Sequence, residues 1–216
     1  MNNTKERILT EALRLFARDG YEAVSVSTIA GALGMTKGAL YRHYKNKHDI
    51  FDSIVEKMYR IDAERSRLYG VPEETYAEAP GAYRETSMEA IRSFSLNQYL
   101  FWTEDPFATD FRRMLTLEQY RNREMAELYH SCLTAGPVLY LEDIFREMTE
   151  RGLLIKADPK QLALEFYAPL YLLIEWSDGA GDRKEPLGRL SAHIDGFIGK
   201  YTNKDQRRNE NEISAK

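Results

Sequence analysis

Apolar residues recur at three- and four-residue steps through most of the chain, and no run alternates long enough to read as strands. Ile8, Leu9, Ala12, Leu13 and Phe16 fall on one face and predict a helix from about Lys5 to Arg18, with Thr4 as N-cap and Gly20 as its stop. Ser25 caps a short second helix carrying Ile29, Ala30 and Leu33, which ends at Gly34. Thr36 caps a third helix through about Tyr44. Ile50, Phe51, Ile54, Val55 and Met58 predict a fourth, which starts near Lys47 and continues toward residue 69.

Residues 70–82, GVPEETYAEAPGA, carry two prolines and two glycines and read as a linker or long loop. Helices resume near Glu85 and stop before Pro106. The next apolar stretch runs from Phe107 to about Leu133 and is interrupted by AGP at 135–137; another helix then runs to Arg151 with Gly152 as its stop. Two strongly apolar helices, about Pro159–Ser177 and Glu185–Tyr201, complete an all-α fold. The polar tail 203–216 lacks periodicity and is expected to be disordered. The expected organisation is an N-terminal three-helix head over residues 1–46 and a helical body over residues 47–202.

At 216 residues and 43% hydrophobic content the chain can bury a core, and no stretch approaches the roughly 20 apolar residues of a membrane helix. The start, MNNTKERILTEAL, lacks the apolar core of a secretory signal, and the single Cys132 permits no intrachain disulfide, so a cytoplasmic setting is expected. The net charge of −4 is unevenly spread: residues 1–50 hold eight basic against five acidic residues, which suits a head that meets an anion. His43, His48, His130 and His193 show no metal-ligand spacing, and no glycine-rich phosphate loop follows a strand. His130 and Cys132 are two apart on a helix and point different ways. No catalytic residue, cofactor or metal is therefore expected.

The segment GMTKGALYRHYKNKHDIF at 34–51 concentrates the chemistry. Two short helices joined by GALGMTKG form a helix-turn-helix, in which Gly34 permits the turn and Leu33, Leu40 and Tyr41 seat it on the first helix. The free N–H groups and positive dipole end of the third helix face outward beside Lys37, and Gly38 has no side chain to hold an approaching strand away. Residues 5–51 resemble the DNA-binding head of the TetR family of bacterial transcriptional regulators, through Phe16, Gly20, Ser25, Ile29, Ala30, Gly34, Gly38, Leu40, Tyr41, His43, Tyr44, Lys47 and Phe51.

That resemblance implies roles. Ser27 and Thr28 would face the DNA backbone or a base edge, although many relatives carry an arginine where this chain has Ser27. Thr36, Lys37, Gly38 and Tyr41 would enter the major groove, with Lys37 reading a guanine, while Arg42, His43, Tyr44 and Lys47 would grip phosphates. Tyr41 and Tyr44 read equally as packing aromatics.

A single head makes few contacts, so a homodimer reading a pseudo-palindromic double-stranded operator is expected. Apolar residues wrap most of the helix at 159–177, and Leu162, Phe166, Leu173, Leu190, Ile194 and Phe197 are the expected dimer interface, with Gly188, Ala192, Gly196 and Gly199 flanking it. The aromatic-rich segment 94–176 suits either an ordinary core or an effector cavity. Its candidate ligand-binding residues are Trp102, Tyr120, Tyr129, Tyr140, Tyr167 and Tyr171, with Glu165 if it faces inward. Pro169 predicts a helix kink there. The function expected is an effector-released repressor; a transcriptional activator, or an interaction module that keeps the fold without specific DNA binding, are the alternatives.

Overall fold

The computed structural model describes residues 3–179 and 184–203, so the expected disorder of the tail from residue 204 onward lies outside the described residues. The described chain is helical: α1 (Asn3–Asp19), α2 (Val26–Ala32), α3 (Lys37–Tyr41), α4 (Lys47–Tyr69), α5 (Pro80–Glu85), α6 (Met88–Glu104), α7 (Pro106–Glu118), α8 (Arg123–Leu133), α9 (Ala135–Glu150), α10 (Pro159–Ser177) and α11 (Lys184–Tyr201). Among the described residues the only strand-like pairing is an isolated antiparallel bridge between Leu154 and Thr202. None of the described helices is long and apolar enough to cross a membrane.

Helix boundaries differ from expectation where side chains compete for backbone groups. The third helix ends at Tyr41, and its chain closes in a turn with His43 N–H on the Leu40 carbonyl at 2.9 Å. The expected helix 107–133 is split, because the Asn122 side chain accepts the Met125 N–H at 3.2 Å and begins a new helix. Pro80 and Pro106 each sit in a first turn, where their missing N–H costs nothing, so α5 begins inside the expected loop. AGP at 135–137 is likewise the first turn of α9, not a gap; a Cβ at Gly136 would lie 1.8 Å from the Ser131 carbonyl oxygen. α10 continues through Pro169.

The chain divides into two compact units, the first comprising residues up to Glu64 together with Phe101–His130, the second Arg65–Leu100 with Ser131 onward. In the first, α1 packs along α7 and against α2. The expected stripe of Ile8, Leu9, Ala12, Leu13 and Phe16 is buried, joined by Ile29, Leu40, Ile50, Phe51 and Ile54. Phe16, Tyr21 and Phe51 form a ring chain with centroids 5.0 and 5.5 Å apart. Burying each such side chain is worth about 1.5–3 kcal/mol, which holds three short helices that would be marginal alone.

In the second unit α10 packs against α9 and α11. Phe145, Phe166 and Phe197 meet at centroid separations of 5.5, 5.4 and 5.0 Å. The expected dimer residues Leu162, Phe166, Leu173, Leu190, Ile194 and Phe197 are all buried within the chain itself, which corrects their assignment. Both stripes of α10 are apolar, and the bulkier one closes the subunit's own core. The outward side keeps Leu164, Ala168, Leu172 and Trp176, and α11 turns Gly188, Ala192, Gly196 and Gly199 outward.

Tyrosines pin the segment before α5 to α9 and to α5 itself. Tyr140 donates to the Pro72 carbonyl at 2.9 Å, Tyr83 to the Glu74 carbonyl at 3.0 Å, and Tyr76 to Glu147 Oε1 at 2.5 Å. Burial pushes the Tyr83 hydroxyl up to about 12.

Candidate nucleic-acid interface

Short helices need strong ends, and the head supplies them. Ser25 Oγ accepts the Thr28 N–H at 3.0 Å, and Thr36 Oγ1 accepts the Ala39 N–H at 3.2 Å. Between them Gly34, at φ +65°, closes α2: its N–H bonds the Gly31 carbonyl and Met35 N–H bonds that of Ala30, at 3.1 and 3.0 Å. This double closure sets the angle at which α3 leaves α2. α4 is then started by a reciprocal pair, Asp49 N–H on Asn46 Oδ1 at 2.8 Å and Lys45 N–H on Asp49 Oδ2 at 2.7 Å.

The face so built carries most of the expected DNA residues. Thr36, Lys37 and Gly38 are exposed, as are Ser27, Thr28, Arg42 and His43. No atom outside the local backbone lies within 4 Å of where a Gly38 Cβ would stand. Tyr41 is 44% exposed, and the Lys37 ammonium lies 5.7 Å from its ring centroid, so the two share one side of α3. Thr28 takes part in the α2 cap as well, its hydroxyl 2.9 Å from that of Ser25.

Two expected phosphate ligands are instead directed inward. Tyr44 is 2% exposed, donates its hydroxyl to the Lys5 carbonyl at 3.2 Å and lies under the Lys5 ammonium. Burial pushes that hydroxyl up to about 12, partly opposed by Ser53. Lys47 donates to the Tyr21 carbonyl at 2.8 Å, with its nitrogen 4.1 Å from the Tyr21 ring centroid. The Tyr21 carbonyl accepts the Val24 N–H at 3.3 Å as well as the ammonium, which makes Lys47 a staple between α4 and the turn after α1. Tyr21 is itself pushed up to about 12, first by burial and then by the carboxylates of Glu22, Glu124 and Asp52. The Asn46–Asp49 pair went unread in the sequence, although the N-x-x-D spacing was its signal.

The candidate ligand residues do not form one cluster within either unit. Trp102 and Tyr129 are buried in the first, and Tyr120, on the turn after α7, is 90% exposed. In the second, Tyr167 is buried with its hydroxyl on the Leu133 carbonyl at 2.7 Å, while Tyr140 and Tyr171 are half-buried. Glu165 faces out: Tyr201 donates to it at 2.6 Å and Lys200 at 2.9 Å, and these two hold its carboxyl below the usual range. It is a clamp between α10 and α11, not a pocket wall.

A capped, glycine-turned helix-turn-helix with an exposed basic face defines a DNA-binding head of the bacterial regulator type. Residues 8–54 match the model of the bacterial regulatory proteins of the tetR family. The chain is 35% identical over 80 residues to the HTH-type transcriptional regulator YerO of Bacillus subtilis, covering 37% of this chain and 27% of that one. To the HTH-type regulator AcrR of Shigella flexneri it is 47% identical over 53 residues, 24% of this chain and 25% of the relative. The chain thus spans about a quarter of the length of these curated relatives. The structure of the SmeT–triclosan complex superimposes over 94% of this chain and 93% of its own, with a TM-score of 0.66 at 19% identity, and shows the same fold. SmeT is described as the repressor of the Stenotrophomonas maltophilia multidrug efflux pump SmeDEF. Residues 8–54 thus carry a regulatory domain of the tetR-family type, and the likeness over the rest of the chain is one of fold.

Proposed function

We propose that this protein is a cytoplasmic transcriptional repressor that binds a pseudo-palindromic operator as a homodimer and is released by a small aromatic or amphipathic effector. One observation carries the DNA part: Lys37, Gly38 and Tyr41 present an open, basic face, while Tyr44 and Lys47, which could have covered it, are anchored inside the head. Lys37 reads base edges, Thr36 and Tyr41 accompany it into the major groove, and Arg42, His43, Ser27 and Thr28 meet the backbone. Exposed Leu164, Ala168, Leu172 and Trp176 on α10, beside the small residues of α11, supply the surface for the second copy. For the effector, the support is the aromatic density of residues 94–176, with Tyr167 and Tyr171 of α10 as candidate contacts.

The test begins with selection of operator sequences from a random DNA pool, followed by binding measured by fluorescence anisotropy across salt concentrations. Affinity is expected to fall steeply with salt, log K dropping by about 0.9 per phosphate contact per decade. Lys37→Ala is expected to weaken the selected operator by about 1–3 kcal/mol and to relax sequence preference at one position. A flat salt response with no selected sequence overturns the proposal and leaves an interaction module. Transcription from a promoter carrying the operator then separates repression from activation.

A further inference from the structure

His48 and Asp52 stand one turn apart on α4, and in the first unit Glu124, from the first turn of α8, joins them. One ligand atom from each lies within 4.8 Å of the others, and all three residues are exposed. The His48 Nε2 is 3.4 Å from Asp52 Oδ1 and 3.9 Å from Glu124 Oε1. Both gaps are within ion-pair reach but longer than the about 2.7–2.9 Å of a charge-assisted hydrogen bond. The shorter gap equals the ~3.4 Å edge of a tetrahedron whose centre is about 2.0–2.2 Å from each nitrogen or oxygen ligand, and small rotations of the exposed Glu124 side chain would close the longer one.

The surrounding charges fit the same reading. Two carboxylates converging on one imidazole repel each other, and a cation held among them relieves that repulsion. The nearest cations in sequence are turned elsewhere: Lys47 onto the Tyr21 carbonyl at 2.8 Å, Arg123 onto Glu127 at 2.8 Å. The His48 ring is steadied against Phe51, centroids 5.8 Å apart. We propose that His48, Asp52 and Glu124 form a binding site for one divalent transition-metal ion of the zinc class, with water completing its shell. One nitrogen and two carboxylate donors suit Zn2+, Co2+ or Ni2+, whereas Mg2+ and Ca2+ take oxygen ligands. The bound ion ties the start of α4, the helix that follows α3, to α8. Sequence spacing of the histidines gave no such site, because the third ligand lies 72 positions beyond Asp52.

The untagged full chain titrated with Co2+ is expected to show visible ligand-field absorption saturating at one ion per chain, displaced by Zn2+ and not by equimolar Mg2+ or Ca2+. Zn2+ also raises the thermal midpoint, since an ion that binds only the folded state stabilises it by mass action. His48→Gln and Glu124→Gln, checked for folding by circular dichroism, bind at least about tenfold more weakly. Glu127→Gln, the exposed control on the same helix, binds as wild type. No saturable binding, or His48→Gln and Glu124→Gln variants that bind as wild type, overturns the proposal, as does equal competition by Mg2+.

Discussion

At Gly38 an added methyl group would meet open space in the free protein, and a residue in a helical turn gains about 0.5–1 kcal/mol when glycine becomes alanine. Against DNA the same methyl would push the backbone off the groove. Gly38→Ala is therefore expected to hold or raise the melting temperature while weakening operator binding severalfold. A variant that binds the operator as wild type removes Gly38 from the interface. Tyr44 and Lys47 show the opposite case, in which residue type alone misleads. Both have the chemistry to grip a phosphate, and both are held by backbone carbonyls of the head.

At the scale of elements, the helix ends decide how the head is held. Gly20 follows α1 at φ +87°, and a Cβ there would stand 2.6 Å from Glu118 Oε1. Glu118 is buried on α7, and neither of its carboxylate oxygens has a hydrogen-bond partner among the described residues. Gly20→Ala combines the left-handed penalty of about 1–2 kcal/mol with displacement of that carboxylate. Denaturant unfolding should show a loss of about 2 kcal/mol, and an unchanged midpoint would mean α7 yields freely there.

The α10–α11 clamp has a pH signature. Tyr201 first, then Lys200, hold the Glu165 carboxyl below its unfolded value of about 4.3. A lowered pKa contributes stability that is present above the unfolded value and is lost as pH falls through the folded one. The wild type should thus melt slightly higher than Glu165→Gln at pH 7, and the two should converge as pH falls below the ordinary carboxylate range. Because the pair is exposed, the difference is small. Parallel curves down through that range would show that the clamp contributes nothing.

For the whole molecule, the proposed dimer makes the outward side of α10 its assembly surface. Leu172 is 63% exposed, in a stripe with Leu164, Ala168 and Trp176, and a contiguous apolar surface of that kind calls for a partner. Leu172→Glu should shift sedimentation from dimer to monomer, weaken self-association at least about tenfold, and reduce operator affinity with the fold intact. Phe166→Glu would instead unfold the second unit, since Phe166 lies between Phe145 and Phe197. A wild type that sediments as a monomer at tens of micromolar excludes the dimer altogether.

The sequence by itself determined the all-α class, the helix-turn-helix and its caps, because these rest on local rules. Periodicity sets which face is apolar, Ser25 and Thr36 answer the free N–H groups beside them, and Gly34 takes the one backbone turn that joins α2 to α3. What such rules cannot choose is the neighbour. Two apolar stripes on α10 look alike in sequence, and only packing against α9 and α11 decided that Phe166 is core while Leu172 is surface. Likewise the burial of Tyr44, the inward reach of Lys47 and the meeting of His48 with Glu124 depend on contacts between residues far apart in the chain. Those contacts exist only once the helices have packed.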